Sequence, residues 1–392
     1  MKKLFSLRYL TAWCFLLFLA LFFLLSLRPF AASMRKLQGP DTAPVEAAYQ
    51  QAMPRKTDFV TVNGGFRRLL GERAVNERYR LDNGQLTYII PELDMTPIAA
   101  NTVAFAEALE ERGIPLLYVN TLFKIDEADK QLPVGVEDYS NENADRFLAI
   151  LRENGVDTLD LREREQAEGL DHDSLFYPTD HHWTAETGFW AFTEIVSALK
   201  ARDASFALDG RIISLDEYTL DVRENCYLGS AGRRVGPWYA GMDDLTVITP
   251  DFETHVVFQE SDRGYGRDGS FAETFLFPEM LEGSPFLVSR YDLYLGGEYS
   301  ELRLDNLSRA EKLPVQSTGK KILLLKDSAS LVVAPFLALG YDSVHLLDLR
   351  LYHGDLMAYI AAYQPDLVLV VYNPGAYEDN NWEMFDFLKK DQ

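Results

Sequence analysis

Two unbroken aliphatic runs, Lys321-Ile-Leu-Leu-Leu325 and Leu367-Val-Leu-Val-Val371, constrain the fold more than any other feature of the chain. A strand with apolar side chains at odd and even positions alike must be covered on both faces, as in a parallel sheet sandwiched between helices. Thr87 to Ile90, Ile114 to Val119 and Val156 to Leu161 read as further strands. Thr96 to Arg112 reads as a helix capped by Thr96, with Ile98, Val103, Phe105, Ala106 and Leu109 apolar and Gly113 as its stop. Asn141 to Asn154 places Phe147, Leu148 and Leu151 on one helical face, and Thr184 to Ala201 reads as another helix. From Arg202 to about Thr318 the rhythm gives way to short alternating runs with several Gly and Tyr. It resumes with a helix from Ser328 to Leu339, a strand from Ser343 to Leu347 and a helix from Leu356 to Tyr363. The expectation is an α/β fold: a parallel sheet with helices on both faces, interrupted by a β-rich insertion.

At the other end, Tyr9 to Leu27 carries no charge and is dominated by Leu and Phe. Nineteen helical residues rise roughly 28 Å, enough to cross a bilayer core. A retained signal-anchor is the expected reading. A cleaved signal peptide with Ala31, Ala32 and Ser33 at its exit is the alternative. Lys2, Lys3 and Arg8 precede the run, and Arg28, Arg35 and Lys36 succeed it, so charge alone orients it weakly. A single N-terminal span exports the chain beyond it, which places the body outside the cytoplasm. The chain then divides into an anchor with its cytoplasmic tip (1–32), a stalk and approach segment (33–84), the first part of the α/β domain (85–202), the insertion (203–317) and the second part (318–392).

Of the 392 residues, 38 are Lys or Arg and 60 are Asp or Glu, a net charge of −22. That field repels phosphate backbones, so no nucleic-acid partner is expected. Two cysteines, Cys14 and Cys226, exclude a disulfide framework and a cysteine-rich zinc site.

Three places carry chemistry. Asp180, His181 and His182 lie within Tyr177-Pro-Thr-Asp-His-His-Trp-Thr184. A carboxylate beside an imidazole fixes its tautomer and stabilises the imidazolium. The alternative is that Asp180 caps the helix and the imidazoles are polar filler. In a third reading Asp180 and His182 hold a cation with His172 and Asp173, although no HExxH spacing supports it. The second place is Lys326-Asp-Ser328, where a buried strand meets a helix start. There the backbone N–H of Ser328 or Ala329 can hold an oxyanion, and a plain N-cap serine is the alternative. The third is the carboxyl edge of the sheet, where ligands of open α/β folds bind. Arg350 stands there as a ligand for a carboxylate or sugar hydroxyl and Asn373 as an oxyanion donor. Both also read as ordinary loop residues, Asn373 opening an Asn-Pro-Gly turn.

Asp180-His-His-Trp183 taken with Lys326-Asp-Ser328 resembles the DHHW family of bacterial exported proteins. That family is similar to the alginate O-acetyltransferase group of SGNH hydrolase-like proteins, in which Asp-x-His-Trp also precedes the serine. The resemblance covers roughly residues 85–200 and 318–392 and touches Gly229-Ser-Ala-Gly-Arg-Arg-Val-Gly236. It implies an SGNH-hydrolase-like fold and an O-acetyltransferase or esterase acting on a cell-envelope or secreted polysaccharide, with no cofactor and no metal. Ser328 would be the nucleophile, His182 its general base and Asp180 the residue orienting His182, while His181 has no implied role. Relatives often carry an aromatic residue where Ala329 stands. Acetyl-coenzyme A is cytosolic, so an exported transferase implies a multi-span membrane-bound O-acyltransferase as acyl supplier, and an esterase needs none. Two rivals differ in class. One is a silent glycan-binding or assembly protein using Trp238, Tyr239, Tyr265, Phe286 and Tyr291, and the other is the metal hydrolase.

Overall fold

The computed structural model describes residues 9–37 and 42–389, so the expected cytoplasmic tip with Lys2, Lys3 and Arg8 lies outside the described residues. Helix α1 (Leu10–Met34) holds the apolar run and continues through Arg28 and Pro29. It is long and apolar enough to cross a membrane, a property that a signal sequence shares.

Residues 33–84 are more than a stalk. They contain α2 (Ala43–Ala52), α3 (Lys56–Leu69) and two strands, β1 (Ala74–Val75) and β2 (Arg78–Arg80), of a small antiparallel sheet completed by β3 (Leu86–Thr87). Val75 and Leu86 share a small core with Ala231, Val235 and Tyr239. The strand expected over Thr87 to Ile90 stops at Thr87 and pairs only in this sheet. Beyond it the Ile90 N–H is taken by Asp138 Oδ1 at 2.7 Å, and Pro91 has no N–H to give.

The chain continues through α4 (Thr96–Glu110), β4 (Leu116–Asn120), α5 (Ser140–Glu153), β5 (Thr158–Asp160), α6 (Leu161–Glu168) and α7 (Ala185–Arg202). It then forms a ribbon of β6 (Tyr218–Tyr227) and β7 (Asp243–Pro250) around the short α8 (Ser230–Val235). Strands β8 (Val256–Glu260), β9 (Gly266–Gly269), β10 (Glu301–Asn306), β11 (Lys321–Lys326), β12 (Ser343–Leu347) and β13 (Leu367–Tyr372) come next. The central sheet has the order β5-β4-β13-β11-β12-β10-β8-β9. Its first five strands are parallel, and β10, β8 and β9 add antiparallel pairs. The segment expected as an insertion thus extends the main sheet as well as forming the ribbon.

Alternation along the buried strands divides the core between the two faces. Ile322, Leu324, Leu369 and Val371 meet Phe192, Ile195 and Leu199 of α7 on one side. Leu323, Leu325, Val368 and Val370 meet Phe105 of α4, Phe147 of α5 and Ile360 on the other. Three local details differ from the sequence reading. Thr96 opens α4 rather than capping it, its N–H bonded to Asp94 Oδ1 at 3.0 Å. The helix α6 replaces the end of an expected strand because Asp160 accepts the Arg162 N–H and caps it. The helix expected from Ser328 to Leu339 is split into a 3₁₀ turn, Ser328–Val332, and a helix, Ala334–Gly340. Asp327 tightens the first turn, and Pro335 belongs to the first turn of the second helix.

Candidate active site

The carboxyl ends of the parallel strands are the edge where the chemistry gathers. Strand β11 delivers Asp327 and Ser328, β12 is followed by Asp348 and Arg350, and β13 by Asn373. The Asp180 turn reaches the same edge from the chain preceding α7, whose first turn is capped by Thr184 through the Thr187 N–H at 3.1 Å. Ser328, His181, His182, Arg350, Asn373 and Tyr88 all line one cavity of about 170 Å³.

Ser328 Oγ lies 2.8 Å from His182 Nε2, and His182 Nδ1 lies 2.8 Å from Asp180 Oδ2. Ser328 and His182, 146 positions apart in the chain, thus join Asp180 in one hydrogen-bonded line. Asp180 is buried and heavily supported. Its Oδ1 accepts the His181 N–H at 2.9 Å, the Ser230 N–H at 3.0 Å and the Ser230 hydroxyl at 2.5 Å. Its Oδ2 also accepts the Tyr227 hydroxyl. Burial opposes the charge, but the imidazoles of His182 and His181 outweigh it and hold the carboxyl well below the usual range. Burial, with His181 beside it, pushes His182 down to about 4, against the pull of Asp180. At neutral pH the His182 imidazole is therefore uncharged. The Tyr291 ring stacks on it, with centroids 4.0 Å apart and planes at 12°.

The backbone of the turn is fixed just as closely. Lys124 is buried and donates to the carbonyl oxygens of Tyr177 (2.5 Å), Pro178 (3.1 Å) and Asp180 (2.5 Å). Burial pulls its ammonium down to about 7 against the attraction of Asp243. Asp243 accepts both the N–H and the hydroxyl of Thr179, at 2.9 and 2.6 Å. The glycine-rich stretch has a steric reason. A Cβ on Gly229 would overlap the Asp180 side chain and stand 2.6 Å from the Thr179 carbonyl oxygen. Gly229→Ala is expected to destabilise the fold by about 1–3 kcal/mol through overpacking. It should also displace Asp180, and a thermal melt beside an ester-hydrolysis assay would check both effects.

The residues read as oxyanion or substrate groups fare unequally. The Ala329 N–H is committed to Asp327 Oδ1 at 2.9 Å, so it is unavailable to an oxyanion. Asp327 Oδ2 accepts the Asn373 N–H at 2.6 Å, which clamps the ends of β11 and β13 together. The Ser328 N–H makes no hydrogen bond among the described residues. Asn373 Oδ1 accepts the Gly375 N–H at 2.6 Å, and its Nδ2 reaches the Leu122 carbonyl only at 3.4 Å. Arg350 lines the cavity, but its guanidinium is forked onto Asp348 at 2.8 and 2.5 Å and lies 3.4 Å from Glu298. Burial works against its charge, and those carboxylates outweigh it and hold the pKa above its ordinary value. Arg350 thus ties loops together, with Lys326 between the same two acids, at the wall of the cavity.

The metal reading loses its outer donors. His172 Nδ1 bonds Glu165 Oε1 at 2.7 Å and its Nε2 faces the Lys124 carbonyl, while Asp173 accepts from Gln131. Ligand atoms of Asp180, His181 and His182 lie within 4.8 Å of one another. Both nitrogens of His182 and Nδ1 of His181 are already hydrogen-bonded inside the cluster and its neighbours.

Sequence reasoning misses Tyr227, Asp243 and Lys124 as supports, and gives Ser230 no role. Only Ser230 has a signal, its place in the glycine-rich stretch. Tyr291, a candidate for sugar stacking, is instead buried against His182.

The chain is thus an α/β protein with a mostly parallel sheet, a serine turn at its carboxyl edge and a histidine brought to that turn from another loop. Residues 92–246 match a family model described as the SGNH hydrolase-like domain of the acetyltransferase AlgX. The chain has the fold of Bacillus cereus PatB1, solved with a sulfonyl adduct: the TM-score is 0.64 and the identity 21%, covering 80% of this chain and 100% of that one. It is similar in the same way to a DHHW family protein from Eubacterium siraeum, with a TM-score of 0.61 and 14% identity, covering 80% and 96%. No curated protein matches it by sequence.

Proposed function

We propose that this protein is a membrane-anchored extracytoplasmic serine O-acyltransferase that acetylates hydroxyls of a cell-envelope or secreted polysaccharide. The observation that carries the reading is the line Ser328 Oγ–His182 Nε2 and His182 Nδ1–Asp180 Oδ2, 2.8 Å at each step. The acetyltransferase description of the family model matched by residues 92–246 supports the choice of acyl chemistry.

His182 Nε2 takes the Ser328 proton as Oγ bonds to the acyl carbonyl carbon. The oxygen becomes an oxyanion facing the Ser328 N–H, with Asn373 Nδ2 as the second donor. When the tetrahedral adduct collapses, the donor's alkoxide or thiolate leaves with the proton from His182, and an acetyl ester of Ser328 remains. A sugar hydroxyl then gives its proton to His182 and attacks that ester, and the proton returns to Ser328. Water in place of the sugar makes the same groups an esterase. A multi-span membrane-bound O-acyltransferase supplies the acyl group from the cytosolic side in this scheme.

The direct test is covalent. A sulfonyl fluoride is expected to inactivate p-nitrophenyl acetate hydrolysis, and peptide mapping should place the adduct on Ser328. An unlabelled Ser328 with unchanged background hydrolysis would overturn the reading and favour the silent glycan-binding module.

The pH dependence has a definite sign. His182 titrates at about 4 in the fold, against 6.5 for an ordinary imidazole. The acylation rate should therefore hold level below neutrality and fall only as the pH approaches about 4. Between pH 6.5 and 4 the unfolded chain binds a proton that the native histidine refuses, so the contribution of His182 to stability falls as the pH drops through that window, and His182→Gln should flatten that part of the profile. Initial acetate-release rates and thermal melts across it check the two statements. An acid limb at 6.5 or above would mean a solvated imidazole.

A further inference from the structure

Helix α3 is built inside out. The face turned to the body is small and polar. Gly64 closes onto the backbone of Val235, where any Cβ would collide with the carbonyl oxygen. Thr61 lies against Gly236, and Arg68 Nη1 donates to the Tyr239 carbonyl oxygen at 2.7 Å. The opposite face carries Phe59, Val62, Phe66, Leu69 and Leu70, all exposed, Leu69 by 86% and Phe66 by 61%. Their spacing of three, four, three and one places them on one side of the helix. A row of large apolar residues on a soluble surface marks a site of contact.

Three features say what covers it. The Phe59 ring, at the start of the row, packs edge-on against Phe22 and Phe18 of α1, with centroids 5.6 and 6.4 Å apart. The row is thus continuous with the surface of the helix that can cross a bilayer. Cationic residues flank it at both ends, Arg55 and Lys56 before it and Arg67 in its last turn, Arg55 also paired with Asp58 and Arg67 with Glu72, in a chain whose net charge is −22. Such flanks suit anionic headgroups. Trp238, 62% exposed, stands beside Gly65 of the same helix, the kind of residue that settles at a membrane interface. Only residues 35–55 separate α1 from α3.

We propose that α3 lies on the bilayer surface with its Phe59–Leu70 row in lipid, so that the body rests on the membrane instead of swinging from a stalk. The proposal rests on α1 being the anchor. An interfacial helix of this kind sinks its apolar face about 5–10 Å into the headgroup boundary. It bears on the site because α3 docks on Val235 and Gly236, and the same short α8 begins at Ser230, which holds Asp180. Membrane contact and the catalytic carboxylate share one support.

The test uses the full chain in vesicles of equal parts phosphatidylcholine and phosphatidylglycerol, with Cys14→Ser and Cys226→Ser. An environment-sensitive fluorophore is placed singly at Phe66→Cys, Leu69→Cys or, within α1, Leu27→Cys. The expected result is a blue-shifted emission at positions 66 and 69 that loses most of its intensity to nitroxide-labelled lipid and little to aqueous iodide. Quenching of 66 and 69 by iodide, while 27 is quenched by lipid, overturns the proposal and leaves the anchor standing. Protection of 66 and 69 from both quenchers means a second copy covers the row, which also overturns it. Failure of lipid to quench 27 overturns the anchor and the proposal together.

Discussion

Replacing Ser328 with alanine is expected to lower acetyl-ester turnover about 10⁴- to 10⁶-fold, with the melting temperature unchanged. The size reflects the group that is removed. No other hydroxyl is hydrogen-bonded to His182 Nε2 among the described residues, so no second nucleophile can take over. Ser330, two positions on, is fully buried. Thermal stability should hold because Ser328 Oγ bonds only His182, and the turn is held by Asp327 through the Ala329 and Asn373 amides. Residual turnover within tenfold of the parent would show that acyl transfer runs through another group. The matching experiment is single-turnover release of p-nitrophenol, which separates acylation from deacylation.

Asp180→Asn should cost about 10⁴-fold in kcat, as expected when an imidazole is held in the wrong tautomer. All five hydrogen bonds to the carboxylate come from donors: two backbone amides, the Ser230 and Tyr227 hydroxyls and His182. An amide group offers one acceptor oxygen and one NH₂. If the NH₂ replaces Oδ2, it donates to His182 Nδ1, moves the ring proton to Nε2 and removes the base. If it replaces Oδ1, it faces the N–H groups of His181 and Ser230, and the turn must shift. Either arrangement leaves buried donors opposed, so the melting temperature should fall as well, by the few degrees that about 1–3 kcal/mol implies. Tyr227→Phe removes only one of the five donors and is expected to cost about tenfold. A variant Asp180→Asn with parental kcat would mean that His182 needs no orienting partner.

Legibility in the sequence tracks locality. The strands buried on both faces are visible because Leu323 to Leu325 and Val368 to Val371 are apolar without interruption. Lys326-Asp-Ser328 and the Asp-x-His pair are visible because each sits within three consecutive residues. The supports of Asp180 are not, since Ser230 and Tyr227 lie about fifty positions away; the glycine-rich stretch marks Ser230, but nothing local marks Tyr227. Arg350 is forked chiefly onto Asp348, two residues before it, a pairing that the Asp-Leu-Arg spacing permits but does not require, and Glu298 comes from a distant loop. Ala329 is a different kind of miss. An aspartate two residues before an amide is an ordinary turn cap, and Asp327 makes it. The strands β8 and β10 fall among the short alternating runs between Arg202 and Thr318, and their attachment to the main sheet, β8 on β10 and β10 on β12, is non-local.

The sheet order carries a consequence for biogenesis. The last strand of the chain, β13, is inserted between β4 and β11. Until residues 367–372 arrive, the first-made pair β4–β5 ends in an open apolar edge, and the later group β11–β12–β10 has no seam through which to join it. Closure of this kind is slow, and it exposes strand edges while it waits. For the exported protein proposed above, this order delays completion of the sheet until the C-terminal strand has arrived. His182 precedes the group β11–β12–β10 and Ser328 follows β11; Trp183 also bonds the Ser328 turn directly, but the sheet edge that carries both becomes continuous only once β13 is in place.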